Sequence, residues 1–325
     1  MNKNKNIALI GCGYWGTILA NNLLSFGFNN LYIYDFNKKN SEALKKKFKK
    51  IVIKNSYENL LKDKSIDIFF FATPPSKNFS LIKKAIINNK NIFLEKPGFK
   101  KINDFYKIKK IKTNNNILMF GYVYCYNDYI QYIKNIINKK VLGRILHINF
   151  QRQNLGPIRN DVQVAEDLSS HDLSIILDIF KKLPKVIYHN KYSILKKKIS
   201  DISNLHMKLN GAFIDINNTW LSPTKIRRVT IIGSKKMLLF DEMDLLNPIK
   251  IYNKYAVYPK IEDFKKSFFQ KKALIYEGKV YLPKIKCISP LKKEIMHFFD
   301  TINKKQKLKT DFDFAFKISN FLSKI

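Results

Sequence analysis

Over the first 121 residues, short apolar stretches alternate with segments whose apolar residues recur three or four positions apart. The apolar stretches have the length and the β-branched or aromatic content of buried strands, and they lie at 7–10, 31–34, 66–71, 92–94 and 117–120. The segments between them have the spacing of one helical face. This alternation predicts an α/β fold: a doubly wound parallel sheet of the Rossmann type, with ligands at the carboxyl ends of its strands.

From residue 122 the pattern is different. Two helices are predicted before residue 181 and two more near the end of the chain, and most of the segment between 144 and 240 has the pattern of strands joined by short turns. Consecutive strands of this kind predict an α+β domain with a large, mainly antiparallel open sheet. We therefore expect two domains, formed by residues 1–121 and 122–325.

A glycine motif follows the first predicted strand. Gly11, Gly13 and Gly16 have the spacing G-x-G-x-x-G, and apolar residues at helical spacing come next. Gly11 allows a tight turn, Gly13 lets the backbone approach a pyrophosphate, and Gly16 lets the helix pack closely on the sheet. A glycine-rich turn that binds nothing is the alternative, but a strand, a helix and a second strand at the expected offsets favour a dinucleotide site.

The choice of dinucleotide depends on Asp35, at the end of the second predicted strand. Its carboxylate can accept hydrogen bonds from both hydroxyls of the adenosine ribose, and it repels a 2′-phosphate. We therefore predict NAD as the cofactor. NADP stays open, because Lys38 and Lys39 are close enough in the sequence to contact a phosphate.

The formal net charge of +35 would ordinarily indicate a nucleic acid or an anionic membrane surface as partner. The basic excess is almost all lysine, with only five arginines, and it is spread along the chain. Asn, Ile, Phe and Tyr are abundant while Gly and Pro are scarce, a joint bias towards residues with A/T-rich codons. We attribute the charge to base composition and expect neither a specific nucleic acid nor a membrane as partner.

The cysteines and the apolar stretches exclude further classes. Cys12, Cys125 and Cys287 are too far apart for a disulfide framework or a C-x-x-C metal pair, and the histidines suggest no metal site. The apolar stretches are too short to span a membrane, and the first five residues lead straight into the first strand without a secretory signal. We expect a cytoplasmic protein.

Lys96 is the first candidate for chemistry. It lies in the sequence E-K-P at 95–97, directly after a predicted parallel strand. A lysine in that place can donate a hydrogen bond to a substrate hydroxyl and stabilise negative charge on its oxygen as hydride leaves. The alternative is a solvated surface lysine, which is what most lysines of this chain are expected to be.

Asp167 and His171 are the second candidates. A spacing of four places them on one face of a helix, where a carboxylate can orient an imidazole that accepts a proton. The alternative is that Asp167 caps the helix and His171 is a packed polar residue. The spacing by itself slightly favours this alternative.

Together the motifs G-x-G-x-x-G, A-T-P-P-S at 72–76, E-K-P at 95–97 and D-x-x-x-H at 167–171 resemble the Gfo/Idh/MocA oxidoreductase family. The resemblance implies that Lys96 is the catalytic lysine, His171 the acid/base and Asp167 its companion. It implies that the cofactor contacts include, beside Gly11, Gly13, Gly16, Asp35 and Lys96, the residues Tyr14, Trp15, Thr73, Pro74 and Glu95. It also implies a second domain whose open sheet carries substrate and packs against another copy, in a homodimer or homotetramer.

Two positions depart from the family pattern. Asn78 replaces a histidine that many members carry after the A-T-P loop, and Gly98-Phe99 replaces an aliphatic pair after E-K-P. Neither change removes a catalytic group. Both are expected to alter details of the cofactor pocket.

The segments 154–159 and 227–240 resemble family members among sugar-nucleotide and surface-polysaccharide enzymes. We therefore predict hydride transfer between a nicotinamide cofactor and a secondary alcohol or ketone of a sugar, with a nucleotide sugar of polysaccharide biosynthesis as the first choice. The predicted substrate contacts are Tyr124, Arg152, Asn154, Arg159 and Asp161, since arginine suits phosphate or carboxylate. Three alternatives stay open: a dehydrogenase of inositol or a free sugar, a glycoside-cleaving enzyme that retains its NAD, and a non-catalytic NAD-binding regulator.

Overall fold

The computed structural model describes residues 4–113, 116–257 and 273–325. It divides into two compact units, of which the first comprises Met1–Tyr126 with Ile288–Lys324 and the second comprises Asn127–Cys287 with Ile325. The expected boundary near residue 121 is close to the observed one, but the expected assignment of the whole remaining chain to the second domain differs from the structure. The segment from Ile288 onwards returns to the first unit.

The first unit contains a six-stranded sheet in the order β3-β2-β1-β4-β5-β6. All of its strand pairs are parallel. The strands are β1 (Asn6–Ile10), β2 (Leu31–Tyr34), β3 (Val52–Ile53), β4 (Ile66–Phe71), β5 (Asn91–Glu95) and β6 (Leu118–Gly121). This is the doubly wound parallel sheet predicted from the apolar stretches.

The second unit contains an eight-stranded sheet in the order β14-β13-β12-β11-β7-β10-β9-β8. Strands β7 and β10 run parallel and the other neighbours antiparallel, as expected for a mainly antiparallel sheet. The strands are β7 (Ile145–Leu155), β8 (Lys185–Tyr192), β9 (Ile202–Leu209), β10 (Ala212–Thr219), β11 (Leu221–Gly233), β12 (Met237–Asp241), β13 (Ile249–Val257) and β14 (Leu274–Tyr281).

Helices connect the strands in both units. They are α1 (Tyr14–Ser25), α2 (Lys38–Lys47), α3 (Tyr57–Lys62), α4 (Pro75–Ile87), α5 (Ile102–Ile111), α6 (Asp128–Asn138), α7 (Ser170–Phe180), α8 (Pro290–Ile302) and α9 (Phe312–Leu322). A 3₁₀ turn covers Val123–Tyr126, and a π-helical turn, Ala165–Ser169, leads directly into α7. Within the described ranges, no helix combines the length and the apolar character needed to cross a membrane.

Aromatic packing explains why α8 and α9 belong to the first unit. The ring of Phe298 packs edge-on against Phe93 of β5, with centroids 5.7 Å apart, and Phe299 stacks on Phe28 at 4.7 Å. Phe312 of α9 lies 5.6 Å from Phe105 of α5. These large side chains are buried, so the end of the chain completes the core around the parallel sheet.

In the second unit, helices α6 and α7 cover one face of the sheet. Buried residues of this layer include Ile133 of α6, Ile148 and Phe150 of β7, and Ile176 of α7. Because side chains alternate along a strand, the residues between the buried ones lie on the opposite face. That face is polar and partly exposed: Asp215, for example, accepts hydrogen bonds from two histidines, His147 at 2.7 Å and His206 at 2.9 Å.

Candidate functional site

The glycine turn between β1 and α1 is the first part of the candidate site. Gly11 has a φ of +92°, and a Cβ there would lie 2.5 Å from the carbonyl oxygen of Ala72. A Cβ on Gly16 would lie 2.0 Å from the carbonyl oxygen of Gly11. Both positions are therefore closed to any larger residue, Gly11 by its backbone conformation as well as by space. The tight turn and the close helix packing predicted from the motif are both present.

Gly13 differs from the other two glycines, since a Cβ built on it would meet no atom within 4 Å. It is the N-cap residue of α1. In the described part of the chain no side chain caps this helix, so the amides of its first turn, with the positive end of the helix dipole, form a place for an anion. Space and donors thus occur together, which fits a dinucleotide pyrophosphate. Tyr14, which follows, is 84% exposed.

Asp35 links the end of β2 to the glycine turn. Its Oδ2 accepts a hydrogen bond from the Cys12 amide at 2.7 Å, and its Oδ1 accepts one from the Asn37 amide at 2.8 Å. Each carboxylate oxygen has a second lone pair for a ribose hydroxyl. Burial, and secondarily the charge of Asp35, raises the pKa of the Cys12 thiol to about 12, so this cysteine stays protonated at neutral pH.

The loops after β4 and β5 are joined by Asn78. Thr73 donates from its hydroxyl to the Asn78 side-chain oxygen, and the Asn78 amide nitrogen donates to the carbonyl of Gly98. Asn78 is 1% exposed. The residue that replaces the family's histidine thus connects the loop of Thr73 and Pro74 with the loop that follows Lys96.

The packing around the loop after β5 explains why residue 98 is a glycine. It has a φ of +87°, and a Cβ there would lie 2.5 Å from the ring of Phe120. Phe99 beside it is buried against Phe105 and Phe120. The second departure from the family pattern is therefore a packing adaptation, in which an aromatic cluster occupies the space behind the loop.

Glu95 ends β5 and comes directly before Lys96. Its carboxylate packs against Gly121 of β6, where a Cβ would lie 2.9 Å from Oε2. The residue is partly exposed, but its Oε1 is buried and makes no hydrogen bond within the described structure. Burial raises the pKa of Glu95 to about 7, against the opposing effects of the Trp15 indole and of Lys96. The Trp15 indole nitrogen is itself buried and lies near this carboxylate without reaching hydrogen-bond geometry.

In the second unit, Asp167 and His171 lie on the two sides of a change in helix type. Asp167 belongs to the π-helical turn and His171 to the first turn of α7. The N-cap residue of α7 is Ser169, so Asp167 does not cap this helix as the alternative interpretation supposed. Short π-helical turns are common at functional sites.

Arg159 contacts Asp167 as well as a second acid. Its guanidinium lies 2.6 Å from Asp161 and 3.4 Å from Asp167, and these ion pairs raise its pKa. The three residues form a short line of alternating charge that leads to the π-helical turn. Two predicted substrate residues and a predicted catalytic residue are therefore in contact, although they were predicted separately.

Arg152 has a different environment from the one expected of a substrate anchor. It is 6% exposed, and its Nε donates to Asp172 of α7 at 2.6 Å. Burial raises the pKa of Asp172, and the charge of Arg152 opposes that shift. Because side chains alternate on a strand, Arg152 shares the helix-facing side of β7 with Ile148 and Phe150. The spacing of two residues from Phe150, and of four from Ile148, was the signal in the sequence that Arg152 points into the core.

The last two predicted substrate residues are engaged locally. Tyr124 lies in the 3₁₀ turn of the first unit and is buried. Asn154 donates from its side-chain amide to the carbonyl of Gly156, which folds the chain back at the end of β7. Of the five predicted substrate residues, the structure thus leaves Arg159 and Asp161 as the two whose charged groups are substantially exposed.

Comparison with known proteins gives the family of the first unit. Residues 5–122 match the model of an oxidoreductase family with an NAD-binding Rossmann fold, GFO_IDH_MocA. Three curated relatives match: an uncharacterized oxidoreductase of Streptococcus pneumoniae with 27% identity over 146 residues, 2,7-anhydro-N-acetylneuraminate hydratase of Escherichia coli with 26% over 148, and YrbE of Bacillus subtilis with 22% over 196. The matches cover 44%, 45% and 56% of this chain and 39%, 39% and 58% of the relatives.

Solved structures resemble the whole chain. UDP-N-acetylglucosamine 3-dehydrogenase GnnA from Acidithiobacillus ferrooxidans has a TM-score of 0.77 at 16% identity, over 99% of this chain and 96% of its own. The WlbA dehydrogenase from Bordetella pertussis, in complex with NADH and UDP-GlcNAcA, has a TM-score of 0.76 at 15% identity, over 98% and 94%. At these identities the likeness shows the fold. The family predicted from the motifs is confirmed for the NAD-binding domain: residues 5–122 match the Rossmann-fold domain of the Gfo/Idh/MocA oxidoreductases.

Proposed function

We propose that the protein is an NAD-dependent dehydrogenase that acts on a secondary alcohol or ketone of a sugar, with a nucleotide sugar of polysaccharide biosynthesis as the first choice. The observation that carries the proposal is the arrangement of the candidate cofactor residues in the first unit. There an open glycine turn at the start of α1, an aspartate after β2 and a lysine after β5 occur on one parallel sheet. Each lies at a carboxyl end of a strand, where sheets of this kind bind dinucleotides.

Within this proposal the first unit holds the cofactor. The amides around Gly13 bind the pyrophosphate, Asp35 accepts from the ribose hydroxyls, and Thr73, Pro74 and Glu95 line the nicotinamide end. Trp15 and the exposed Tyr14 border the same turn. When bound, NAD supplies the hydride acceptor or donor; the protein supplies position and electrostatic field.

The proton chemistry falls to three side chains. We assign to His171 the removal of the hydroxyl proton and to Lys96 a hydrogen bond to the same oxygen, which gains negative character as the carbinol hydrogen leaves. Asp167 stabilises the charged imidazole. Its contact with Arg159 ties this acid to the irregular segment after β7.

Two observations support a sugar nucleotide as substrate. Arg159 presents a partly exposed guanidinium beside Asp161, and a guanidinium pairs well with phosphate. Among the solved structures with this fold, one is named UDP-N-acetylglucosamine 3-dehydrogenase and another is in complex with UDP-GlcNAcA. We further propose that copies of the chain associate through the polar open face of the second sheet, as the family resemblance implies.

Absorbance at 340 nm tests the proposal directly. Purified protein is mixed with NAD⁺ and, in turn, with UDP-, GDP- and dTDP-sugars, free hexoses and inositols. Formation of NADH with one nucleotide sugar supports the full proposal, whereas formation with polyols only would keep the dehydrogenase and discard the nucleotide. Absence of NADH with every substrate, although NAD⁺ binds, would contradict net oxidation.

One relative favours a second candidate function. The Escherichia coli protein is named a hydratase, and a hydration reaction has no net change of oxidation state. A cofactor that stays bound and is oxidised and reduced in turn is compatible with such a reaction. This candidate predicts NAD that copurifies with the protein, and a glycoside or anhydro-sugar that is consumed without NADH formation, which mass spectrometry of the products detects.

A further inference from the structure

Glu294 is a buried acid that the proposed chemistry does not use. It lies in α8 within the first unit, is 1% exposed, and neither of its carboxyl oxygens makes a hydrogen bond within the described structure. A buried carboxyl group without partners costs several kcal/mol in its charged form, so such a residue needs an explanation.

The packing of α8 brings Glu294 to the candidate cofactor site. Phe298 of α8 contacts Phe93 of β5. Glu294 precedes Phe298 by one helical turn, and Glu95 follows Phe93 by two residues, on the same face of the strand. Four residues of helix and two of strand span about the same length, roughly 6 Å. Phe299 stacks on Phe28, which lies just before the amino end of β2, so α8 runs in the opposite direction to the strands. The two acids therefore lie on the same side of the contact between Phe298 and Phe93.

The raised pKa values of Glu294 and Glu95 agree with this placement of the two acids. Burial, and secondarily the charge of Glu95, raises the pKa of Glu294 well above its ordinary value. The Glu95 carboxyl has a raised pKa as well. Two such neighbours titrate as a pair, and around neutral pH the pair retains a proton. Other ionisable groups on these elements include Lys96, Tyr122, Tyr124, Cys125, Tyr126, Lys292, Lys293, His297, Asp300 and Lys309. Of these, Lys96 opposes the shift of the Glu95 pKa.

We propose that Glu294 is a positioning residue of the cofactor site, which holds Glu95 in place through a proton shared between the two carboxyl groups. The inference rests on the proposed function, in which Glu95 lines the nicotinamide end. A carboxylic acid at Glu294 donates a hydrogen bond to the buried Glu95 oxygen that otherwise has no partner. The direction of the Glu95 carboxylate, and its charge beside Lys96, thereby depend on a residue almost 200 positions later in the sequence.

Cofactor binding should make this pair release protons. The oxidised nicotinamide ring is positively charged and favours an ionised Glu95, so the shared proton becomes more acidic when NAD⁺ binds. The ring of NADH is neutral and should cause less release. Glu294→Gln keeps the volume and a hydrogen-bond donor but carries no charge and has no proton to release. The pair then cannot hold the shared proton, so less should be released when NAD⁺ binds, although burial still raises the pKa of Glu95.

Isothermal titration calorimetry in two buffers of different ionisation enthalpy measures the protons released per NAD⁺ bound. At pH 7 the release by Glu294→Gln should fall to less than about half of the wild-type value, while binding of NAD⁺ persists. Glu58→Gln is the matched control, because Glu58 is an exposed acid of the same unit, ion-paired to Lys84 at 2.7 Å, and its loss should leave the release unchanged.

Thermal unfolding confirms that each variant is folded, and Glu294→Asp replaces the glutamine variant if that one does not fold. The aspartate keeps the acid but withdraws it by one methylene, so it too should release fewer protons. Equal release by the wild type and by the folded Glu294 variant would overturn this inference alone. A wild-type protein that binds no NAD⁺ would overturn the proposed function, and this inference with it.

Discussion

In the first unit the predicted cofactor residues are held mainly by backbone contacts, whereas in the second unit the exposed predicted substrate residues, Arg159 and Asp161, are held by contacts between side chains. Asp35 accepts from two main-chain amides, and Gly11 and Gly16 are fixed by close approach of carbonyl groups. Arg159, by contrast, contacts Asp161 and Asp167. Backbone geometry restricts which residues fit at fixed positions and so leaves a motif in the sequence. Contacts between side chains restrict the sequence much less, even where, as for Arg159, Asp161 and Asp167, the residues are close in sequence.

The largest effect is expected from the two residues that we assign to catalysis. Lys96→Ala and His171→Ala should each lower kcat by about 10² to 10⁴, the contribution typical of a positioned acid, base or oxyanion donor. Binding of NAD⁺, measured by calorimetry, should change little. Lys100→Ala is the control, because Lys100 is an exposed lysine four residues further along. Turnover like that of the wild type in either catalytic variant would remove that residue from the mechanism.

Arg152 and Arg159 should have different roles: Arg152 stabilises the fold, and Arg159 binds substrate. Arg152→Ala leaves the buried Asp172 carboxylate without its charge partner, so the free energy of unfolding should fall by about 3–5 kcal/mol. Arg159→Ala removes a half-exposed ion pair and should change that free energy by less than about 1 kcal/mol while raising KM for the substrate. Chemical denaturation and steady-state kinetics measure the two effects. The distinction between a structural and a substrate-binding arginine within the second unit would fail if Arg152→Ala were as stable as the wild type and Arg159→Ala left KM unchanged.

The glycines provide a matched pair within one turn. Gly16→Ala forces a methyl group against the Gly11 carbonyl and should destabilise the fold by about 1–3 kcal/mol. Gly13→Ala meets no atom in the protein, so the melting temperature should stay close to that of the wild type. Its methyl group should nevertheless occupy the space of the pyrophosphate and weaken NAD⁺ binding by about tenfold or more, an effect comparable to one lost hydrogen bond to a charged group. Unchanged affinity in Gly13→Ala would place the cofactor elsewhere.

The smallest effect concerns cofactor choice. Asp35→Asn keeps an oxygen that can accept one of the two amide hydrogen bonds but removes the negative charge. The ratio of kcat/KM for NAD⁺ over NADP⁺ should fall by about tenfold, which corresponds to 1.4 kcal/mol of lost repulsion towards a 2′-phosphate. A ratio that does not change would mean that Lys38 and Lys39, rather than Asp35, decide the preference.

The parallel sheet and the loops at the carboxyl ends of its strands could be predicted because their signals are local. Strands β2 and β4 occupy the residues that the apolar stretches indicated, 31–34 and 66–71. The role of α8 could not be predicted, since Phe298 and Phe299 pack on Phe93 and Phe28, which lie more than 200 positions earlier in the sequence. Its sequence did contain one hint: Glu294 occurs in phase with the apolar residues of the helix.

The sequence alone determined the α/β and α+β architecture, the family of the NAD-binding domain, and the backbone-built part of the candidate cofactor site, because turns, strand ends and glycine positions depend on neighbouring residues. The tertiary structure decided which polar groups are available. It buried Arg152 against Asp172, made Asn78 the link between two loops, and buried the carboxyl group of Glu294 in the first unit. A buried charge or amide is stable only beside a suitable partner, and such partners come from elements that meet only in the folded chain.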